Sequence, residues 1–148
     1  MKKISALILV ITLCLSLTAC AGIRNKPDFS QVMPDFDFSM TRDDAIKLEN
    51  YKTPVDDFGD VLIFSSYFNN CAGKIIYRFE ASGTLGSMNF TFNSDSEYRT
   101  FMNSFRETYG KADKKIRGYE FWYGVIDGVD VYFSIKEMDS HIEIGLDD

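Results

Sequence analysis

Two hairpin turns fix which side chains can share a face over most of this chain. Ile126-Asp127-Gly128-Val129 holds an Asp-Gly pair, and such two-residue turns adopt positive φ values that match the right-handed twist of the strands they join. Pairing outward from it places Trp122, Ile126, Val129, Val131, Phe133 and Ile135 on one face. The opposite face receives Tyr119, Phe121, Tyr123, Val125, Asp130, Tyr132, Ser134 and Lys136. A further strand from about His141 to Leu146 turns Ile142, Ile144 and Leu146 toward the first face, and His141 and Glu143 away from it. Around Ala81-Ser82-Gly83-Thr84 the pattern recurs. Ile75, Tyr77, Phe79, Met88, Phe90 and Phe92 form the apolar side, and Lys74, Ile76, Arg78, Glu80, Ser87, Asn89 and Thr91 the polar one. Residues 61–68 read as another strand, apolar on both sides at its start.

Helices precede both strand groups. Thr41 is placed to cap a short helix with Asp43 and Asp44 at its positive end, and Pro54 stops it. Ser94 and Glu97 have capping-box spacing, Tyr98, Phe101, Met102, Phe105 and Tyr109 recur at helical spacing, and Gly110 ends the run. Two amphipathic helices and strands with one apolar face predict an α+β fold: an antiparallel sheet of about six strands with both helices on one face. The order helix, strand, strand, strand occurs twice. Helix starts Thr41 and Ser94 lie 53 residues apart and turn glycines Gly83 and Gly128 lie 45 apart, which suggests a diverged internal duplication.

The N-terminus predicts where this domain works. Lys2 and Lys3 precede an apolar run, Ile4 to Leu17, that is too short to span a bilayer and closes in Leu17-Thr18-Ala19-Cys20. This constellation resembles the lipobox of bacterial lipoproteins. The resemblance implies cleavage before Cys20, a diacylglyceryl thioether on its sulfur, and an extracytoplasmic protein held on the cell membrane or the outer membrane. Acyl chains contribute about 0.8 kcal/mol per buried methylene, so two of them anchor stably where one exchanges. The expected division is a signal peptide over 1–19, a lipidated N-terminus and flexible tether over 20–40, and one domain over 41–148. A flexible tether of this length spans about 25 Å. Phe29, Phe36 and Phe38 within it are candidates to dock on the domain or on a partner.

Removal of residues 1–19 from the 148 takes Lys2 and Lys3 and leaves 129 residues with 14 basic against 22 acidic side chains, a net charge of minus eight. Such a chain supports one core of ordinary size and repels nucleic acid and anionic lipid. Cys14 leaves with the signal and Cys20 is used by lipid, so Cys71 has no disulfide partner within the chain and is expected to be a small structural residue.

A second resemblance rests on Thr41, Ala45, Leu48, Thr53-Pro54, Asp57-Phe58-Gly59, and Phe79 through Ser82-Gly83 to Leu85. These resemble the helix, loop and hairpin of small outer-membrane-assembly lipoproteins of the SmpA/OmlA type, which contain one such unit. The doubled scheme is similar in topology to beta-lactamase-inhibitor-protein-like repeats. Both imply a non-enzymatic, protein-binding module at the membrane surface, with a cell-envelope protein as partner.

Catalytic signatures do not emerge from the residues. The sole histidine, His141, alternates outward in a strand with no second ligand near it in sequence. Asp56, Asp57 and Asp60 lack the alternation and terminal Glu of a calcium loop, and nucleophile elbows and phosphate-binding loops are missing. No catalytic residue, metal or cofactor is assigned. The candidate binding residues are Tyr119, Phe121, Tyr123 and Tyr132, whose face reads as an interaction surface, as a surface covered by the N-terminal segment or a second copy, or as core. The alternative function is a small-ligand-binding or hydrolytic extracytoplasmic domain, which would require a closed cavity with convergent carboxylates.

Overall fold

A computed structural model of the chain describes residues 25–33, 36–50, 52–136 and 140–147. Helix α1 (Arg42–Leu48) leads into β1 (Asp56–Asp57), β2 (Val61–Phe68), β3 (Cys71–Phe79) and β4 (Leu85–Phe92). Helix α2 (Asp95–Tyr109) leads into β5 (Lys114–Ile116), β6 (Tyr119–Ile126), β7 (Val129–Lys136) and β8 (His141–Leu146). All eight strands form one antiparallel sheet in the order β1-β2-β3-β4-β8-β7-β6-β5. The expected six strands become eight because β1 and β5 close the two ends. With two and three residues, all of them exposed, these strands carry no apolar alternation that a sequence pattern can reveal.

The face assignments follow from the register. Trp122 opposes Phe133, Phe133 opposes Ile144, and Ile144 opposes Met88, which opposes Tyr77, itself opposite Leu62. This inner face holds the core. Phe105 of α2 stacks on Phe133 with ring centroids 4.1 Å apart and meets Trp122 edge-on, while Phe101 meets Phe68 and Phe92. Below α1, Glu49 accepts from the Tyr77 hydroxyl at 2.9 Å and from Ser66 Oγ at 2.6 Å. Both helices therefore contact the same side of the sheet.

Capping differs from the sequence expectation. Thr41 and Asp44 form the complete capping box, whereas Ser94 accepts from the Glu97 N–H. The Thr41 hydroxyl foremost, and then Lys47, hold the Asp44 carboxyl down at about 2.

From Pro27 onward the described residues of the stretch expected as a flexible tether belong to the domain instead. Phe29 N–H donates to the Val125 carbonyl at 2.8 Å and Val125 N–H donates to the Pro27 carbonyl at 2.9 Å. Phe29 is fully buried between Tyr109, Phe105 and Phe133, and Phe36, Phe38 and Met40 are buried as well. For residues 27–29 the physical reason is an unfinished edge, whereas Met40 accepts from the Leu85 N–H at 3.0 Å at the start of β4. β5 pairs with β6 only as far as Phe121; beyond it, Asp113 takes the Tyr123 N–H and residues 27–29 take both polar groups of Val125. Gly124 makes room for this strap, since a Cβ there would stand 2.4 Å from the Pro27 carbonyl oxygen.

Turn geometry also corrects the spacing of the two halves. Asn69-Asn70 joins β2 to β3 with φ values of 47° and 64°, and Asp127-Gly128 joins β6 to β7 with 49° and 83°. Gly83 instead lies between β3 and β4, so it is no counterpart of Gly128. The matching positions Asp56 and Lys114, Val61 and Tyr119, Asn69 and Asp127, and Cys71 and Val129 are each 58 residues apart.

Candidate functional site

Every described element that packs on the sheet does so on the inner face, and the outer face is left to its own side chains. The four aromatics predicted there are brought together. Tyr119, Phe121 and Tyr123 run along β6 with successive ring centroids 6.2 and 6.5 Å apart, and Tyr132 on β7 stands 6.2 Å from Phe121. Tyr119 is 36% exposed and the other three are half-buried. The Tyr132 ring lies over Gly145 and its hydroxyl donates to Glu143 at 2.8 Å. Burial, and then the neighbouring Glu143 carboxylate, raise the Tyr132 hydroxyl well above its ordinary pKa. The Lys136 ammonium stands 5.7 Å from the Tyr119 ring centroid.

Cross-strand register sets polar groups beside this patch. One row reads Ser65, Lys74, Thr91, His141, Lys136, Tyr119, Ile116 from β2 to β5. Within it His141 is half-buried, with Nδ1 3.2 Å from Thr91 Oγ1. The middle row runs Ile63, Ile76, Asn89, Glu143, Ser134, Phe121, Lys114. Asn89 is 6% exposed, and its Nδ2 has no acceptor among the described residues.

Two buried carboxylates escaped the sequence reading. Glu120 shares its face with Trp122, and that parity is the signal that exposes it as an inward charge. It bonds Lys115 and Arg106, the latter at 3.0 Å. Burial opposes its ionisation more than any single contact favours it, yet the two cations together hold its carboxyl below the usual range. Glu49, 5% exposed, borders an open cleft of about 490 Å³ with Tyr77, Ser66, Lys52 and Met33. Its oxygens are engaged by Tyr77, Ser66 and, at 3.6 Å, Lys52. Burial and then Glu49 raise the Tyr77 hydroxyl above its ordinary value.

Cys71 is half-buried with Sγ 3.6 Å from the Asn69 carbonyl, and burial pushes its thiol up, away from the reactive thiolate. Asp57 binds the Arg42 guanidinium and accepts from the Gly59 N–H. Leu17 through Cys20 lie outside the described residues. Among the described residues no helix is long and apolar enough to cross a membrane.

Compared with protein-family models and with curated sequences, the chain matches none. Among solved structures it is similar to the C-terminal domain of TagH at 13% identity and a TM-score of 0.40. The match covers 87% of this chain and 65% of that one.

Proposed function

We propose that this chain is an extracytoplasmic lipoprotein anchored through Cys20, whose domain acts as a non-enzymatic protein-binding or envelope-assembly module. Its destination is the cell membrane or outer membrane, with a cell-envelope protein as partner. The observation that carries this reading is the cluster of Tyr119, Phe121, Tyr123 and Tyr132 on a sheet face without a covering element among the described residues. Grouped aromatics supply contact area at small entropic cost, and tyrosine tolerates the wet state before docking. The strap strengthens the reading. By occupying the β6 edge beyond Phe121 it removes that stretch of edge as a docking strand beside the aromatic face.

The domain is further proposed to descend from a duplicated unit of one helix and four strands. The repeated 58-residue offset through β1 to β3 and β5 to β7, with a two-residue positive-φ turn at the same place in each half, supports it.

Affinity purification of the tagged chain from its own cells tests the binding reading, comparing wild type with Tyr123→Ser plus Tyr132→Ser. The expected result is a folded double variant that has lost its co-purifying envelope protein; a folded variant that retains it overturns the assignment of this face. Cys20→Ser tests the anchor separately and should move the protein out of the membrane fraction. The second reading, a small-ligand-binding or hydrolytic domain, rests on the cleft beside Glu49 and Tyr77. It is the weaker one because the Glu49 carboxylate already has internal partners.

A further inference from the structure

The two ends of the sheet are finished differently. Strands β2 and β6 stand 58 residues apart, so Ser65 corresponds to Tyr123 and Tyr67 to Val125. Each strand is paired along its first part only: Val55 N–H donates to the Ile63 carbonyl at 2.6 Å, as Asp113 N–H does to the Phe121 carbonyl at 2.8 Å. Alternate residues of a strand turn their backbone groups to the same neighbour, so Ser65 and Tyr67, like Tyr123 and Val125, direct theirs to the outside edge. On β6 the Asp113 carboxylate and residues 27–29 take these groups. On β2 nothing among the described residues takes them.

The open edge has the features of a docking strand. Residues 61–68 contain no proline and no charged side chain, the devices that ordinarily guard an edge. Val55, Phe58 and Tyr67, on or beside it, are the three most exposed large apolar side chains among the described residues. Its inner side opens on the cleft beside Glu49, which Ile75 also lines. Ile75 is the counterpart of Phe133 at the 58-residue offset, and Phe133 is one of the rings that Phe29 of the strap covers. The space that the strap fills at one end of the sheet is thus open at the other. Ser66 stands where the other half has Gly124, and its hydroxyl donates to Glu49, so a side chain laid opposite Ser66 has to be small.

We propose that the β2 edge at Ser65 to Tyr67 is a strand-addition site for an extended, proline-free segment of a partner protein, with a small side chain opposite Ser66 and apolar side chains beside Tyr67. In this mode of recognition main-chain hydrogen bonds supply affinity and alternate side chains supply selectivity. Proline is excluded because the outward carbonyls of Ser65 and Tyr67 need N–H donors. The site lies at the end of the sheet away from the strap and does not use the cluster of Tyr119, Phe121, Tyr123 and Tyr132. It adds a second surface to the binding reading and stands or falls separately from it.

The test titrates the full chain in neutral detergent with a labelled seven-residue peptide alternating valine and serine, and with versions N-methylated on the valines or on the serines. The parent peptide should bind, and the version that has lost the donors facing the edge should bind about tenfold more weakly or worse. Amide hydrogen exchange supplies the location: Ser65 and Tyr67 should exchange fast in the free chain and slow by about tenfold or more with peptide, whereas Val125, held by the Pro27 carbonyl, is slow throughout. Ser65→Pro removes an outward N–H without touching the β2–β3 ladder, and should weaken the peptide by about tenfold with the urea midpoint little changed. Tyr67→Lys supplies the same reading if proline disturbs folding. Absence of peptide binding, binding indifferent to both methylations, slow exchange at Ser65 and Tyr67 in the free chain, or protection confined to Tyr123 and Tyr132 overturns the proposal. So does self-association in sedimentation that Ser65→Pro abolishes, since a second copy then occupies the edge. If the tyrosine double variant loses its envelope partner while the peptide fails, the aromatic face stands and the edge site falls. If the peptide binds as expected and that variant keeps its partner, the edge site stands and the face is misassigned.

Discussion

Trp122 and Phe133 are 1% and 0% exposed, while their chain neighbours Phe121 and Tyr132 are half-buried and meet each other on the opposite side of the same two strands. Aromatic residues thus occupy both faces of β6 and β7, and only parity from the Asp127-Gly128 turn decides which set is sealed. On the inner face the rings are enclosed by α2 and by Phe29 of the strap. On the outer face they are flanked by lysines, hydroxyls and glycine. Hydrophobicity alone therefore does not separate core from surface here; the covering element does.

The sharpest break in that comparison comes from truncating an inner ring. Phe133→Ala should cost about 3–5 kcal/mol, since Phe105 and Trp122 lose their shared neighbour and a cavity remains; urea unfolding measures it. A smaller effect concerns the charge that the inner face does contain. Because the Glu120 carboxyl is held below its unfolded value, its contribution is present above roughly pH 4.3 and is lost as pH falls below that. Stability of wild type should decline through this window more steeply than that of Glu120→Gln, as urea midpoints across the range will show. The smallest change is expected on the outer side, where Tyr123→Ser plus Tyr132→Ser should cost about 1 kcal/mol or less per site by the same unfolding measurement. A loss equal to that of Phe133→Ala would mean that the two faces do not differ as described.

Face parity was legible in the sequence because alternation is local and the turns are explicit. Every residue placed on the outer side of β6, β7 and β8 is found there, including His141 and Glu143. The edge strands were not legible, since Asp56-Asp57 and Lys114 to Ile116 pair without burying anything. The strap was hidden for a different reason. Phe29, Phe36, Phe38 and Met40 lie among prolines and aspartates without a period; Phe29 answers a β6 edge nearly a hundred residues away in the chain, while Phe36 borders the cleft with Ile75 and Tyr77 and Met40 accepts from the Leu85 N–H. Of the candidate site, the aromatic membership was readable, but the polar row of Lys74, Thr91, His141 and Lys136 across β3, β4, β8 and β7 needed the non-sequential β4–β8 pairing.

Photocrosslinking in intact cells, from a reactive residue at position 121 and, as a control, at the helix-side position 99, tests the claim about the outer face most directly. A discrete protein adduct from position 121 and none from position 99 is the predicted result. An adduct from position 99 with none from position 121 would contradict the account.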